Sequence, residues 1–453
     1  MKLNKYLLMA AMGLGLVACT ENDLVEGSDS NGAQNEGTTY VGFSLKFNAS
    51  NTRATKSEDG TAAEQKINTA YVLMTDADGN VEKIVSTSKK GTGTSNTKTD
   101  YYVFQTTAGV HYFYAVVNPD IVPTMEGDDA TAKTIGGYFN TGVELTVSDI
   151  ASTTGNGNFM MASHEVLTAN VEDGVTEDEA LKGTKNCFAI KVERATAKVT
   201  MTCENTTLTS ATNNGSDGII TTPKFTLKGG ATKSTRMAQN PFTDITGNAW
   251  TYTSIETPVY VKQEADADDD NIHRKATPVY CLENINTAYK QSNTTYLNLY
   301  TKFVPAKVVD CDSQETVGAL KDNPNAANST AVSFYVVKTG SLAGNYILKS
   351  ELDTFQGDDD TKFPNGVESI SAEYVEGTCW FGPIWIGQAN VADQNGPVVR
   401  NTWYNLKITG ITLPGDPQEP KPDPDQPLVP GTNVAITLSV MPWNFIEHNI
   451  NLQ

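Results

Sequence analysis

Few residues in this 453-residue sequence have the types and spacings that enzyme chemistry needs. The histidines show no His-Glu-x-x-His pattern and no pair four residues apart, and they are His111, His164, His273 and His448. A zinc site of the metalloprotease kind is therefore not indicated. No Gly-x-Ser-x-Gly elbow, P-loop or dinucleotide-binding glycine motif is present either. We predict that the chain is not an enzyme and binds no cofactor, and that His111 and His448, both within strands, have structural roles.

Acidic clusters could supply oxygen ligands to calcium. Asp76-Ala77-Asp78-Gly79 resembles the opening of a calcium loop, but the third acidic position and the distal glutamate are missing. We interpret it as the turn of a hairpin between strands at 70–75 and 81–86. The acidic runs Asp266–Asp270 and Asp358–Asp360 are interpreted as solvated loops, with a loose surface calcium site as the alternative. No metal site is predicted.

The cysteines beyond the N-terminal region do not indicate zinc or redox chemistry, because no Cys-x-x-Cys spacing occurs. They are five in number, so they cannot all pair with one another: Cys187, Cys203, Cys281, Cys311 and Cys379. Cys187 and Cys379 have apolar neighbours and are predicted to be small core residues. A disulfide such as Cys281–Cys311 remains open, because secreted proteins usually pair their cysteines. The segment Cys379–Trp385 could stack against sugars, but core packing is the favoured interpretation.

The first nineteen residues have the pattern of a bacterial lipoprotein signal. Lys2 and Lys5 precede the apolar run Leu7–Val17, which is shorter than the about 20 residues that a membrane-spanning helix needs. Leu16-Val17-Ala18-Cys19 then resembles a lipobox, which predicts removal of residues 1–18 and diacylation of Cys19. A secretory signal with a chance cysteine is the alternative. The Gly-, Ser- and Asn-rich stretch that follows is predicted to be a flexible tether.

The composition indicates an acidic, mostly β protein. Asp and Glu total 53 against 33 Lys and Arg, and the net charge of −20 would repel nucleic-acid phosphates and anionic lipid headgroups. We therefore expect no nucleic acid partner, and membrane attachment only through a lipid anchor. The sequence is rich in Thr, Asn, Gly, Val and Tyr, residue types that favour strands and turns. The length suggests two domains of roughly 200 residues each.

Alternation of apolar and polar residues predicts a leading strand at Tyr40–Phe47. Its apolar positions face one side and are Val41, Phe43, Leu45 and Phe47. The polar segment Asn48–Gln65 follows it and contains Arg53, with no sign of a strand. An arginine in such an accessible segment could be a protease site or an ordinary surface residue.

A reversal of the alternation predicts where the chain changes sheets. Apolar residues occupy even positions from Phe188 to Val192 and odd positions from Val199 to Cys203. Because a shift of one residue sends side chains to the opposite face, a bulge or a crossover is expected between 194 and 197. We place the domain boundary just after it, which gives an N-terminal domain at 54–205 and a C-terminal domain at 206–413.

The C-terminal region combines a stiff segment with a further strand. Seven prolines occur within the 17 residues Pro414–Pro430, so residues 414–433 are predicted to be a polyproline-II spacer reaching roughly 50 Å. A strand at Val434–Gln453 follows, with apolar residues in even phase: Val434, Ile436, Leu438, Val440 and, after Trp443, Ile446. An isolated terminal strand of this kind must pair with something.

Taken in order, these landmarks resemble those of the Bacteroidales fimbrillins, especially the subunit of their short fimbriae, which are type V pili. They cover nearly the whole chain and are the lipobox at Cys19, Asn51-Thr52-Arg53-Ala54, Tyr112–Asn118, Phe159–Ser163, Val192–Val199, Asn293–Tyr296, Arg400–Leu406, the proline spacer and the closing Leu438–Trp443. The resemblance rests on the order of these landmarks and on the presence of both the N-terminal lipobox and the closing C-terminal segment.

The resemblance implies two transthyretin-like antiparallel β-sandwich domains and a role as a structural subunit of a cell-surface fimbria that supports adhesion. A lipidated, palmitate-bearing precursor would be held at the outer membrane, and a trypsin-like surface protease would cut it at Arg53–Ala54. The cut would release the propeptide 19–53 with its leading strand. A neighbouring identical or homologous subunit would then fill the groove with its strand Val434–Gln453. A host or bacterial surface receptor is a further partner that the resemblance implies.

The two terminal strands support this expectation independently. Each carries four apolar residues at alternating positions, so the two could occupy one groove in turn. Burial of four such side chains contributes about 6–12 kcal/mol, which is comparable to the stability of a whole domain. Backbone hydrogen bonds of the added strand would contribute further.

Other readings of the sequence remain. The chain could be a monomeric surface lipoprotein that binds glycans through its tryptophan-rich segment. It could also be the tip or anchor subunit of the same pilus, although a tip subunit would not need to donate a strand and an anchor would not need to be cut. A hydrolase is the most distant alternative.

Overall fold

The structure is a computed structural model that describes residues 38–47, 60–86, 102–125, 131–154, 157–203, 209–210, 218–239, 244–245, 247–251, 256–266, 271–312, 319–386, 397–411, 414–428, 434–439 and 444–452. Several predicted sites lie outside these residues, namely Cys19, Arg53, Ala54, Val440 and Trp443.

The described residues are mostly strands, so the all-β prediction is confirmed. The first eleven strands are β1 (Thr38–Phe47), β2 (Ala70–Thr75), β3 (Val81–Ser86), β4 (Tyr102–Thr107), β5 (Gly109–Val117), β6 (Val143–Glu144), β7 (Ala151–Ser152), β8 (Asn158–Phe159), β9 (Met161–Ser163), β10 (Leu167–Val171) and β11 (Cys187–Arg194). The helices are α1 (Val147–Ile150), α2 (Glu177–Leu181) and α3 (Lys349–Gln356), with single π or 3-10 turns at Gly136–Asn140, Glu264–Asp266, Ile272–Lys275, Gln291–Asn293, Ala326–Asn328 and Val375–Gly377. Within the described residues, no helix is long and apolar enough to cross a membrane.

The remaining strands follow the crossover. They are β12 (Thr196–Cys203), β13 (Thr209–Ser210), β14 (Gly218–Lys228), β15 (Gly230–Ala231), β16 (Lys233–Ser234), β17 (Trp250–Thr251), β18 (Thr257–Pro258), β19 (Tyr260–Val261), β20 (Val279–Leu282), β21 (Tyr296–Pro305), β22 (Lys307–Val309), β23 (Leu320–Asp322), β24 (Phe334–Thr339), β25 (Tyr346–Leu348), β26 (Ser369–Ile370), β27 (Thr378–Trp385), β28 (Thr402–Ile411), β29 (Val434–Ser439) and β30 (Asn444–Leu452).

The first sheet has the strand order β3-β2-β5-β9-β11-β1-β4, and β10 also pairs with β5. Its strands β2 and β3 form the predicted antiparallel hairpin. In the turn, Oδ1 of Asp76 accepts hydrogen bonds from the backbone N–H groups of Asp78 (3.0 Å) and Asn80 (2.8 Å). This carboxylate closes the turn on itself, as short acidic side chains commonly do. The interpretation of this acidic motif as a hairpin turn is confirmed.

The chain passes between sheets at Ala195, so the predicted crossover is confirmed. Strand β11 pairs with β9 and β1 in the first sheet, whereas β12 pairs with β20 and β28 in the second. The whole of β12 therefore belongs to the second sheet. The boundary placed at residue 205 is about ten residues too late, because the prediction followed the polar run after Cys203 and not the reversal itself.

The second sheet contains the path β19-β12-β28-β13-β14-β21-β27. Side chains from β12, β14, β21, β27 and β28 share one hydrophobic core, represented by Met201, Phe225, Leu299, Phe381 and Leu406. A smaller three-stranded sheet, β25-β24-β26, packs with α3 around a separate cluster that includes Ile347 and Leu352.

The C-terminal segment differs from the predicted single strand. Strands β29 and β30 form an antiparallel hairpin, with Ile436 opposite Ile450, and β30 runs parallel to β28 from Thr402↔Asn444 to Ile411↔Leu452. Residues 440–443, which connect the two strands, lie outside the described part of the chain. The terminal segment pairs with β28 of its own chain, and its pairing with a second copy of the chain stays a prediction.

The proline-rich segment also differs from the predicted free spacer. Residues 414–428 lie against the second sheet, and the buried Leu428 packs with Tyr296 and Trp385. The composition correctly indicates a segment that adds no regular strand, but it does not indicate that this segment packs against the rest of the protein.

Candidate assembly site

The leading strand β1 lies inside the first sheet. Residues Gly42–Phe47 pair in parallel with Cys187–Val192 of β11, and Thr38–Phe43 pair antiparallel with Thr107–Tyr102 of β4. Both edges of β1 therefore contribute to backbone ladders. In the described sheet β1 is the strand that joins β11 to β4, so its removal would leave a gap between them.

The predicted inward face of β1 is buried. The exposed fractions are 0% for Val41, 0% for Phe43 and 3% for Leu45, which confirms that these three side chains face the core. The side chain of Phe47 lies outside the part of the chain that the structure describes.

Aromatic rings surround Phe43. Its ring centroid lies 4.6 Å from that of Phe113, 5.6 Å from that of Phe104 and 6.1 Å from that of Phe188. These three partners come from β5, β4 and β11, so the aromatic rings around Phe43 belong to strands other than β1. If β1 left, the lining of this pocket would stay with the body of the protein.

The opposite face of β1 is covered too, which the half-buried pattern did not predict. Helix α2 crosses it at Gly42, where a Cβ atom would lie 2.6 Å from the carbonyl oxygen of Ala180. Ser44, the next residue on this face, is also buried. The helix begins with a capping box between Thr176 and Glu179, a sequence signal that could have located it.

A polar clamp of Thr39 and Asn186 holds the start of β1. The hydroxyl of Thr39 donates to the carbonyl of Glu172 (2.7 Å) and accepts from the N–H of Val175 (3.0 Å). The side-chain amide of Asn186 donates to the carbonyl of Tyr40 at 3.0 Å. No periodic pattern in the sequence indicates either contact.

Beyond the expected cleavage segment, the chain is fixed at Glu64. This side chain is fully buried, and its Oε1 lies 2.8 Å from Nζ of Lys198. The same oxygen accepts a hydrogen bond from the Tyr280 hydroxyl at 2.6 Å, and Oε2 accepts one from the N–H of Thr61 at 2.6 Å. Burial favours a raised pKa, but the positive charge of Lys198 and these hydrogen bonds outweigh it and hold the pKa of Glu64 below its usual value.

Glu64 attaches this part of the chain to the crossover and to the second sheet. Nε of Arg194 donates to the carbonyl of Glu64 at 2.9 Å, and Nζ of Lys198 lies 3.7 Å from the ring centroid of Trp403. A cut within residues 48–59 would therefore separate β1 from the body while Glu64 keeps the following chain in place.

Two sequence motifs that carry the resemblance meet at this junction. Asn401 accepts hydrogen bonds at Oδ1 from the backbone N–H of Arg194 (3.4 Å) and from its Nη1 (3.3 Å). The N–H of Asn401 donates to the carbonyl of Thr196 at 2.9 Å. The motifs 192–199 and 400–406 are thus in direct contact in the folded chain, which the sequence pattern did not predict.

The cysteines carry no disulfide between Cys281 and Cys311. These two residues belong to separate hydrophobic clusters, and burial raises the pKa of each thiol to about 12. Cys379 is fully buried, as predicted for a core residue. Cys187 is only partly buried, so its prediction as a core residue is wrong; its Sγ lies 3.0 Å from the carbonyl oxygen of Ala180 in α2.

The tryptophan-rich segment mostly packs into the core. Trp385 and Phe381 are 2% and 5% exposed, which confirms the favoured interpretation for these two residues. Trp380 is partly exposed and its ring centroid lies 5.2 Å from that of Tyr300 on β21.

The histidines do not converge on a catalytic arrangement within the described residues. In His111, Nε2 lies 3.0 Å from the carbonyl of Thr107, and His448 lies in β30. His164 pairs with Glu193 at 2.8 Å, and the hydrogen bond and charge of Glu193 raise the pKa of His164 against the effect of burial. In the same residues, no group of three or more His, Cys, Asp or Glu side chains is placed to hold a metal ion.

The fold and the site thus define an all-β protein whose distinctive features are its two terminal strand segments. Residues 372–449 match the family described as major fimbrial subunit protein type IV, fimbrillin, C-terminal. This match confirms the resemblance to fimbrillins that the sequence landmarks predict. No curated protein matches the chain significantly.

Solved structures with some likeness to the chain include two fimbrial proteins of Porphyromonas gingivalis. A fimbrilin is 15% identical with a TM-score of 0.41, covering 91% of this chain and 97% of its own. The tip fimbrial protein Mfa3, truncated at its C-terminus, is 16% identical with a TM-score of 0.37, covering 62% of this chain and 84% of its own.

Proposed function

We propose that this chain is a structural subunit of a cell-surface fimbria, assembled when a neighbour's C-terminal strand replaces β1. In this proposal the precursor is exported as a lipoprotein acylated at Cys19 and is cut between Arg53 and Ala54. Loss of residues 19–53 opens the groove between β11 and β4. The segment Val434–Gln453 of the next subunit then fills it.

The observation that carries the proposal is the position of β1. Both of its edges are paired within the sheet, yet residues 48–59, which connect it to the rest of the described chain, contain the proposed cleavage site. Its removal without replacement would expose two strand edges and an apolar groove, which promote aggregation. A removable central strand is useful when another strand takes its place.

The energetics are consistent with exchange. The three buried apolar side chains of β1 contribute about 5–9 kcal/mol, a large part of the about 5–15 kcal/mol that stabilises a typical domain. The even-phase residues Val434, Ile436 and Leu438 offer apolar groups of similar size at the same spacing. An incoming strand would also restore the ladders on β11 and β4.

Attachment at Glu64 supports the order of events. Because this buried carboxylate is bound by Lys198 and Tyr280, the chain after the cut does not depend on β1 for its place. The cut can therefore release β1 without unravelling the junction between the sheets. In the same proposal, the chain folds into two transthyretin-like sandwich domains, lies at the cell surface and supports adhesion to a receptor.

The test is the variant Arg53→Ala, with Lys56→Ala as the matched control three residues further along the same polar segment. We expect the Arg53→Ala chain to reach the cell surface with residues 19–53 attached and to form no fibres. The control chain should be cut and should assemble normally. Fibres of normal length from uncut Arg53→Ala chains, seen by negative-stain microscopy, would contradict the proposal.

A further inference from the structure

The proline-rich segment 414–428, called the strap here, is bound by the second sheet and by the turn Gln291–Asn293 that precedes β21. At its start, Asp416 and Trp380 exchange backbone hydrogen bonds of 2.8 and 2.7 Å. At its end, Leu428 is 3% exposed and packs against Tyr296 and Trp385. The close approach at the start requires Gly415, because a Cβ there would lie 2.0 Å from the carbonyl oxygen of Trp380.

An amide side chain, Asn298, and a lysine, Lys228, bind the middle of the strap. Nδ2 of Asn298 donates to the carbonyl of Pro420 (3.1 Å) and to Oε1 of Glu419 (3.0 Å). Glu419 also forms an ion pair with Lys228. Burial favours a raised pKa for Glu419, but the hydrogen bonds from Lys228 and Asn298 outweigh it and hold that pKa below its usual value.

Gln291 makes the most complete set of contacts to the strap. Its Oε1 accepts from the N–H of Asp423 (2.8 Å), its Nε2 donates to the carbonyl of Pro427 (3.0 Å), and its own N–H donates to the carbonyl of Gln426 (3.1 Å). A proline-rich chain has few N–H groups but keeps all its carbonyl oxygens, so amide donors on a groove are suited to bind it.

From this surface we infer that the strap stays bound to its own subunit in the assembled fibre and sets the point from which the C-terminal strands leave. The inference rests on the proposed function. Only five residues, 429–433, separate Leu428 from Val434. A bound strap therefore limits the reach from Leu428 to Val434 to about 20 Å, whereas a strap free from Asp416 onward would reach roughly 55 Å as polyproline II.

The difference in reach has a structural consequence for the fibre. A neighbour held within about 20 Å of Leu428 must sit close to the second sheet of the donor, with little freedom to change its angle. A free strap would give loosely spaced, flexible subunits. In the fibre, therefore, we expect the surface formed by Asn298 and Gln291 to hold the strap of the same chain and not a segment of another protein.

Amide hydrogen exchange on the full-length chain tests the inference before and after assembly. In the monomeric precursor, we expect the Asp416 and Asp423 amides to exchange about tenfold or more slowly than in the isolated 414–428 peptide, because their hydrogen bonds must open first. Gln291→Ala should abolish this protection at Asp423 and keep it at Asp416. Gln418→Ala, which changes an exposed strap amide, should leave both unchanged.

The same measurement on fibres decides whether the strap stays bound. We expect protection at Asp416 and Asp423 equal to that of the precursor, and fibres of Leu428→Ala with a broader distribution of subunit spacing. If these amides exchange at the free-peptide rate in the precursor, the strap is not bound to the body. If they exchange at that rate only in fibres, the strap is released on assembly and does not fix the exit point of the C-terminal strands. Failure of the chain to form fibres would instead reject the proposed function, while the precursor measurement would still decide whether the strap is bound.

Discussion

The ring of Phe43 on strand β1 lies 4.6 Å from the ring of Phe113 on β5. Under the proposed cleavage between Arg53 and Ala54, these two residues would end in different molecules. A substitution at Phe43 should therefore change the stability of the precursor alone. A substitution at Phe113 should change the stability of both the precursor and the fibre.

Phe43→Ala should destabilise the uncut precursor by about 3–5 kcal/mol, because it empties a pocket lined by three aromatic rings. The fibre should be unaffected, since β1 is absent from it. Phe113→Ala is the matched variant and should weaken both forms. Chemical denaturation of precursor and sheared fibres measures both effects, and equal loss of fibre stability from the two variants would show that β1 is retained.

Glu64→Gln should destabilise the chain by about 3–5 kcal/mol, because it leaves the ammonium of Lys198 buried without its partner. The control Glu165→Gln breaks the exposed pair with Lys191 and should cost less than about 1 kcal/mol. Urea unfolding at neutral pH compares the two. Similar values would mean that the Glu64 pair does not hold the junction.

The free energy of unfolding should also depend on pH through the titration of Glu64. Its pKa in the folded chain lies below its usual value, so its contribution to stability is present above the pKa of the unfolded chain and is lost as the pH falls through the lowered folded-state value. The Glu64→Gln chain lacks this titration. Its unfolding free energy should therefore fall less steeply below about pH 4.5 than that of the unchanged protein, and parallel pH profiles would exclude the effect.

Cys19→Ala should abolish acylation, because Cys19 is the residue that the lipobox pattern places at the new N-terminus. Metabolic labelling with a fatty-acid analogue measures it, and Cys187→Ala is the control that should keep full label. Undiminished label in Cys19→Ala chains would reject the lipobox assignment.

Ile436→Asp combined with Leu438→Asp should stop assembly, because burial of two unpaired carboxylates costs several kcal/mol each. The control is Thr437→Asp with Ser439→Asp, which changes the alternate positions of β29. Fibre length by negative-stain microscopy reports the outcome. Equal effects from the two double variants would show that no single face of the strand is buried on assembly.

Features that local sequence determines were predicted well. The hairpin at 70–86 follows from two alternating runs around an acidic turn, and the crossover follows from a change of phase between Val192 and Val199. The inward residues of β1 follow from alternation alone. In each case the signal lies within about twenty residues of the feature.

Features that depend on distant contacts were not predictable. The cover of α2 over Gly42 and the binding of the strap by Gln291 and Asn298 join residues more than 100 positions apart. The prolines indicate stiffness but cannot show that a groove exists to receive them. Similarly, the contact of Arg194 with Asn401 follows from the fold and from neither motif alone.

The central claim is that β1 of the precursor and the C-terminal segment of a neighbour occupy the same groove. A photo-crosslinking phenylalanine analogue at position 188, on the wall of that groove, reports its occupant in both states. We predict crosslinks to residues 38–47 of the same chain in the precursor, and to residues 434–453 of another subunit in fibres. Crosslinks in fibres that still join position 188 to residues 38–47 of its own chain would contradict the account.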